Sequence, residues 1–278
     1  MSFFGPGSGD FDAASKPTGD RIIRLKILIT VKAAPNPSEK YGETVCVAGL
    51  RTDVLTTSWI RLYPINFRHL DSDEAFRKYD IVSIDVKPTR QDHRRESWKP
   101  VMDTIRRERY LDGWRPRQPL LDPAVEDSMC RLNREARERS DAQSLALVRP
   151  KEVRSLIITP HPGWTIDEQR KIDAYASQPD LFSSRSRSPL QAPRFKAAYH
   201  YLCHEPRCNG HKQHVIDWEL IACQRRLKGC SDADLRAALE SKFMGEMCPP
   251  NRNVAFYVGN QAKRAHVFSV LGVYWPRR

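Results

Sequence analysis

The chain has 278 residues, of which 40% are hydrophobic and 29% are charged, and its formal net charge is +12. This composition predicts a globular protein with its own core and excludes a wholly disordered chain. No apolar run approaches the ~20 residues of a membrane-spanning helix, and residues 1–20 contain no hydrophobic signal core. We therefore expect a cytoplasmic protein with no membrane partner.

The N-terminal part of the sequence predicts a tail followed by strands. Residues 1–20 are rich in Gly, Ser and Pro and predict a disordered tail. From Arg21 onwards, apolar and polar residues alternate with the period of a strand, and three further strands are expected at residues 43–50, 56–63 and 80–87. Asp71 and Glu74 form a capping box for one short helix. Together these signals predict a small β-barrel or curved sheet over residues 21–102.

Arginine dominates residues 103–193, which we interpret as a basic connection of helices and loops. Thr165 and Glu168 form a capping box that opens one of its helices. Within the connection, residues 105–119 predict an exposed loop in which arginines alternate with aromatic residues. Arginine binds phosphate and aromatic rings stack on bases, so the candidate nucleic-acid-binding residues are Arg106, Arg107, Arg109, Tyr110, Trp114, Arg115 and Arg117.

The segment from residue 194 to residue 278 predicts a compact α/β module. Asp217 is placed to cap one helix and Ser231 to cap a second. Two apolar runs, at residues 254–258 and 266–274, predict an antiparallel pair of strands packed on those helices. The fold class is therefore α+β, with an N-terminal β-rich domain, a basic connection and this C-terminal module.

Cysteines and histidines are concentrated at the start of the C-terminal module. Cys203, Cys208, His211 and His214 offer a tetrahedral site of nitrogen and sulfur ligands. Thiolate and imidazole favour zinc, and the cytosol disfavours a disulfide, so we expect a structural zinc ion. His214 is the first choice for the fourth ligand, with His266, Cys223 and Cys248 as alternatives. Cys46 and Cys130 are isolated in the sequence, and we interpret them as small buried hydrophobes.

Three stretches carry a resemblance to a protein family. They are residues 40–49 (KYGETVCVAG), residues 59–64 (WIRLYP), and the cysteine–histidine segment followed by residues 217–219 (DWE). In these stretches the chain resembles an uncharacterised bacterial protein family. The resemblance implies a bacterial origin and assigns no activity, cofactor or catalytic residue.

The charge and the aromatic residues favour nucleic-acid binding, with single-stranded DNA or RNA preferred to a duplex. A second candidate surface is the polar side of the N-terminal strands, where Arg61 could lie near Trp59 and Tyr63. One alternative is a metal-dependent nuclease or phosphodiester hydrolase, with Asp92, His93, Glu96, Asp217 and Glu219 as its candidate residues. The other is an adaptor whose basic face binds an acidic protein partner.

Overall fold

The computed structural model describes residues 16, 19–40, 42–65, 76–89, 92–177 and 189–278. Most of the predicted tail and the whole of the predicted capping box at Asp71 lie outside these residues. Within them, no helix is long and apolar enough to cross a membrane.

The N-terminal half forms a closed barrel. Its strands are β1 (Ile23–Lys32), β2 (Asn36–Ser38), β3 (Gly42–Arg51), β4 (Trp59–Ile65), β5 (Asp80–Pro88) and β6 (Ser97–Tyr110). The sheet runs β1-β5-β6-β4-β3-β2, and a further pairing of β1 with β3 closes five of the strands into a barrel. β4 and β6 are parallel, whereas the other barrel pairs are antiparallel. This connectivity is that of an OB-fold, with β2 as an addition between its first two strands.

The four strands expected from the sequence are confirmed as β1, β3, β4 and β5. The long strand β6 includes the first part of the predicted loop, residues 105–110, and crosses the expected domain limit at residue 102. Arg106, Arg107 and Arg109 project from it as exposed side chains. A strand whose exposed end carries so many charges shows little apolar alternation, which is why the sequence pattern resembled a loop.

The C-terminal half is a seven-stranded sheet with helices on one face, in the order β7-β8-β12-β13-β11-β10-β9. Its strands are β7 (Val125–Glu126), β8 (Leu145–Val148), β9 (Glu152–Pro160), β10 (Phe195–Leu202), β11 (His211–Val215), β12 (Ala255–Gln261) and β13 (Arg264–Tyr274). Because β8 and β9 belong to this sheet, much of the predicted connection is part of the C-terminal module. The antiparallel pair expected near the C-terminus is confirmed as β12 and β13.

Five α-helices lie among the described residues. They are α1 (Gln118–Leu121), α2 (Met129–Glu138), α3 (Ile166–Ala176), α4 (Trp218–Arg226) and α5 (Asp232–Glu240). The predicted caps are confirmed: Thr165 and Glu168 form a capping box, and Asp217 and Ser231 cap α4 and α5. α5 continues directly into a π-helical turn, Ser241–Glu246, where the sequence predicted the helix to stop before Gly245.

Alternation of side chains along the central strands produces three layers. In β8, Leu145 and Leu147 face the barrel, whereas Ala146 and Val148 face the helices. On the barrel side, Leu28 and Leu50 belong to the same apolar cluster as these leucines. A strand buried on both faces reads as a continuous apolar run, as the sequence LALV does. The barrel and the helices α2, α4 and α5 therefore pack on opposite faces of the seven-stranded sheet.

A buried polar network also joins the two halves. Arg61 of β4 is only 3% exposed and donates hydrogen bonds to the Ser144 hydroxyl, 2.8 Å, and carbonyl, 3.1 Å. Glu96 accepts from the Ser144 amide at 2.9 Å and from its hydroxyl at 2.7 Å. Arg61 therefore holds the modules together, and the interpretation of Arg61 as a surface cation is wrong.

Candidate functional site

Four side chains from three separated segments converge beside the seven-stranded sheet. Cys130 is the second residue of α2, Cys203 and Cys208 lie in the loop after β10, and His211 is the first residue of β11. Their ligand atoms all lie within 4.8 Å of one another. We call these four residues the Cys3His cluster.

The spacing of the ligand atoms is that of a tetrahedral metal site. The Cys203 and Cys130 sulfurs are 3.7 Å apart, and His211 Nε2 lies 3.4 Å from the sulfurs of both Cys130 and Cys208. Zinc bonds to sulfur and nitrogen imply edges of ~3.7 Å between sulfurs and ~3.5 Å between sulfur and nitrogen. The cluster is thus compatible with one bound metal ion.

Local hydrogen bonds fix the loop against the helix that supplies Cys130. Ser128 caps α2 by accepting from the Arg131 amide at 3.0 Å, and its hydroxyl donates to Glu205 at 2.9 Å. The His204 amide donates to the carbonyl of Asp127 at 2.9 Å. These contacts bring the N-terminus of α2, which favours thiolate, to the other cysteines.

The backbone around Cys208 also favours a thiolate. The amides of Cys203 and Gly210 each point at the Cys208 sulfur at 3.4 Å. Gly210 has φ of +100°, and a Cβ at this position would lie 3.0 Å from His200 Nε2. The turn that brings this amide to the sulfur therefore requires glycine.

Ionisation differs among the ligands because they are buried close together. Burial and the neighbouring Cys203 raise the pKa of Cys130 to about 12. For Cys203, burial acts to raise the pKa, but hydrogen bonds from the Cys130 and Glu205 backbones and from the neighbouring thiols lower it. Burial also lowers the pKa of His211, which keeps the imidazole neutral and able to bind a metal.

The structure corrects the predicted fourth ligand. His214 was the first choice for this place, but His211 and His214 both lie on strand β11, where residues three apart face opposite sides. His266 is exposed, Cys223 packs in the core between helices and sheet, and Cys248 donates to the Phe243 carbonyl. Cys130, interpreted as a lone buried thiol, takes the fourth place.

A second feature is a cavity of about 610 Å³ between one end of the barrel and the C-terminal module. We call it the interdomain cavity. Five aromatic rings line it, together with six cationic and three acidic side chains. The aromatic residues are Tyr79, Tyr110, Trp114, Trp218 and Trp275; the charged ones are Lys32, Arg77, Lys78, Arg117, Arg226, Lys242, Asp217, Glu219 and Glu246.

Two groups of predicted residues meet in this cavity. Tyr110, Trp114 and Arg117 were predicted to bind nucleic acid, whereas Asp217 and Glu219 were candidates for the alternative hydrolase. The two groups are about a hundred residues apart in the chain, and the end of β6 and the start of α4 line the same cavity. No spacing rule connects them in the sequence.

Arg117 shapes the wall of the cavity. Its guanidinium carbon lies 3.8 Å from the Tyr79 ring centroid, and the group donates to the Leu111 carbonyl at 2.8 Å and the Tyr110 hydroxyl at 2.9 Å. Trp114 makes edge contacts with Tyr79, Tyr274 and Trp275 at centroid distances of 5.7, 5.2 and 5.7 Å. These contacts hold the aromatic rings in fixed positions.

Charges are buried at the base of the cavity. The Lys78 ammonium lies 3.7 Å from Glu219, and Asp217, 3% exposed, accepts from the Glu219 amide at 3.0 Å. Burial raises the pKa of Asp217 to about 7, although the charge of Lys78 opposes this rise. The pKa of Lys78 is also raised, because the charges of Glu219, Tyr79 and Asp217 outweigh its burial. Gly272 leaves room for both groups, since a Cβ there would lie 3.1 Å from Lys78 Nζ.

Tyr79 adopts a strained backbone conformation at this base. Its φ of 72° is rare for a bulky residue, and hydrogen bonds from its amide to Ile29 and from the Leu111 amide to its carbonyl hold it there. The side chain is 6% exposed, and its buried hydroxyl lies beside that of Tyr257. Strained backbone and π-helical turns, such as the one carrying Lys242 and Glu246, are concentrated at functional sites.

The remaining predicted residues lie elsewhere. Arg106, Arg107, Arg109 and Arg115 are exposed, next in sequence to the cavity residues Tyr110 and Trp114. Asp92 pairs with Arg94 at 2.6 Å; burial acts to raise its pKa, but hydrogen bonds from Arg94 and Ser97 lower it to about 2. Glu96 belongs to the Ser144 network, and His93 is exposed. These acids have structural partners of their own.

The protein therefore has two parts, an N-terminal OB-type barrel and a C-terminal module that carries the Cys3His cluster. The chain belongs to the family described as Domain of unknown function (DUF8757), whose model matches residues 125–278. A second model, Domain of unknown function (DUF8758), matches residues 23–123. The matches confirm the predicted resemblance to an uncharacterised family, and each match begins at the first strand of one sheet. Comparison with curated proteins finds no match.

Proposed function

We propose that the protein binds single-stranded nucleic acid, with the interdomain cavity as the centre of the binding surface. The observation that carries this proposal is the meeting of five aromatic rings and an excess of cations in one cavity. Single strands bind by stacking bases on aromatic rings and by placing phosphates on cations. The proposal does not use the outer barrel face at Leu28 and Leu50, because the seven-stranded sheet covers that face.

In this proposal the exposed arginines supply phosphate contacts around the cavity. Arg106, Arg107, Arg109 and Arg115 flank its aromatic residues in sequence and point to solvent. Arg117 does not contact phosphate in this proposal, because its guanidinium already donates hydrogen bonds to the Leu111 carbonyl and the Tyr110 hydroxyl. It holds the rings of Tyr110 and Tyr79 in place.

A salt titration with labelled oligonucleotides tests the binding. We expect a single-stranded 12-mer to bind at low salt and to lose roughly tenfold or more in affinity between 50 and 200 mM salt. A variant with Arg106→Gln and Arg109→Gln should bind more weakly and with a shallower salt slope. Arg154→Gln, an exposed arginine on β9, is the matched control. Absent binding, or binding independent of salt, contradicts the proposal.

We further propose that the Cys3His cluster holds one structural zinc ion. All four positions are filled by protein ligands, which is typical of closed structural sites. Metal analysis of the purified protein should give about one zinc per chain. His211→Asn should lose the metal, whereas His214→Asn, on the opposite face of the same strand, should retain it. Equal loss in both variants would refute this ligand set.

Hydrolysis of phosphodiesters is a second candidate function, favoured by the position of Lys78, Asp217 and Glu219 in the cavity. Two carboxylates beside a lysine offer a place for a divalent cation and a proton acceptor. Incubation of labelled single strands with Mg²⁺ or Mn²⁺ tests it. Cleavage that Asp217→Asn abolishes supports hydrolysis, and intact strands exclude it under those conditions.

A further inference from the structure

The polar base of the interdomain cavity suggests which part of a strand enters it; this inference rests on the proposed function. A cavity of about 610 Å³ falls within the ~300–1,000 Å³ usual for small-ligand sites. That volume accommodates one nucleotide but not a duplex. Aromatic residues from both modules line it, with Trp114 beyond β6 and Trp218 at the start of α4. Flat apolar walls of this kind suit a planar base.

The base of the cavity carries a hydrogen-bond donor and an acceptor side by side. Lys78 can only donate, and an ionised Glu219 can only accept. The two groups are 3.7 Å apart, and Glu219 keeps 38% of its side chain exposed.

This pair of groups discriminates among the bases. A carboxylate is best matched by two adjacent N–H groups, and on the Watson–Crick edge only guanine offers two, from N1 and N2. Guanine also places its O6 acceptor next to N1, where an ammonium can donate to it. Adenine and cytosine set an acceptor beside their single amino group, and an acceptor is repelled by a carboxylate. Single-stranded recognition commonly reads this edge.

Further cations complete the arrangement. Arg226 and Lys242 line the same cavity and come from α4 and the π-helical turn. A nucleotide whose base enters the cavity would leave its phosphate near such groups. We propose that the interdomain cavity holds one unpaired guanine nucleotide, with its base between the aromatic walls and its edge against Lys78 and Glu219.

Short oligonucleotides and mononucleotides test this inference. We would compare a thymine octamer with octamers that carry a single central guanine, adenine or cytosine, and in parallel GMP with AMP, CMP and UMP. The guanine octamer should bind about tenfold more tightly than the other three, which corresponds to one good base contact. Among the mononucleotides GMP should bind most tightly.

A charge-neutral variant tests the residue that reads the base. Glu219→Gln should reduce the ratio of guanine to adenine octamer affinity to about one. Glu138→Gln, on the exposed end of α2, should leave this ratio unchanged. Thermal unfolding of both variants checks that they are folded; if Glu219→Gln is not, the base series on the wild-type protein decides the question.

The outcomes separate this inference from the function on which it rests. Strand binding without any base preference overturns the guanine assignment and leaves nucleic-acid binding intact. Binding of GMP without any strand binding supports the assignment, identifies a free nucleotide as its source, and refutes the proposed function. No binding of either kind refutes both.

Discussion

The Cys3His cluster and the interdomain cavity both gather polar side chains from distant parts of the chain, but only the cluster is complete. Its sulfurs and its imidazole lie within contact distance of one another, and backbone amides point at Cys208. In the cavity, by contrast, Asp217 is buried with a raised pKa and faces the ammonium of Lys78. A closed set of ligands is typical of a structural site, whereas a buried acid with a shifted pKa in a cavity is typical of a site that binds something else.

The largest expected effect comes from removing the fourth ligand of the cluster. Cys130→Ser should lose the metal and lower the free energy of unfolding by about 3 kcal/mol or more, because metal binding contributes directly to folding. Cys230→Ser, a free cysteine outside the cluster, is the matched control. Urea unfolding and metal analysis measure both variants. Comparable zinc content in the two would show that Cys130 is not a ligand.

A smaller loss is expected at the base of the cavity. Lys78→Met removes the cation that faces Glu219 and Asp217 and should destabilise the protein by about 2 kcal/mol at pH 8, because the buried carboxylate of Asp217 loses its partner. Lys99→Met, at an exposed position of β6, should change stability little. Urea unfolding compares them. Equal stabilities would mean that Lys78 does not neutralise these acids.

The turn at Gly210 should respond more modestly. Gly210→Ala forces a side chain into a backbone with φ of +100° beside His200 and should cost about 1 to 2 kcal/mol, with weaker metal retention. Gly229→Ala is the control, since a Cβ there meets nothing within 4 Å. Thermal unfolding with and without a chelator distinguishes the two variants. If Gly210→Ala keeps wild-type stability and metal, the amide contact to Cys208 is unimportant.

The last expected effect is a change in pH dependence. Folding raises the pKa of Asp217 from an ordinary 3.8 to about 7, so the folded state favours its protonated form. The stability that this group contributes is present below pH ~4 and is lost as the pH rises to about 7. Asp217→Asn stays neutral and still can cap α4. It should therefore lack this decline, so that its stability relative to the wild type rises between pH 4 and pH 8.

Urea unfolding of the wild type and Asp217→Asn at pH 4, 5.5, 7 and 8 measures this difference. Glu152→Gln, an exposed acid on β9, is the control for a change of charge. A difference between variant and wild type that stays constant with pH would mean that Asp217 has an ordinary pKa in the folded protein.

Local patterns in the sequence predicted local structure well. The strands β1, β3, β4 and β5, the caps of α3, α4 and α5, and three of the four clustered ligands follow from periodicity and short spacing. Cys130 does not, because 73 residues separate it from Cys203 and only the packing of α2 beside the β10–β11 loop brings them together. His214 was misplaced because its segment forms a strand, and the same spacing that unites residues on a helix separates them there.

The cavity was less predictable than the cluster for the same reason. Tyr110 and Trp114 stand out in the sequence by composition, and Asp217 by its position as a cap, but nothing in their spacing joins them. Tyr79 gives no sequence signal, since its strained φ follows from the hydrogen bonds of the folded barrel. A site built between two modules depends on how the modules pack, which periodicity does not encode.

Hydrogen exchange in the presence and absence of a saturating single-stranded oligonucleotide compares the two regions in one experiment. We predict slower exchange of amides in residues 110–118 and 217–226, which line the cavity, and no change in residues 203–211 of the Cys3His cluster. Slower exchange only in the cluster loop, with the cavity segments unchanged, would contradict both claims. It would mean that the oligonucleotide binds at the cluster and not in the cavity.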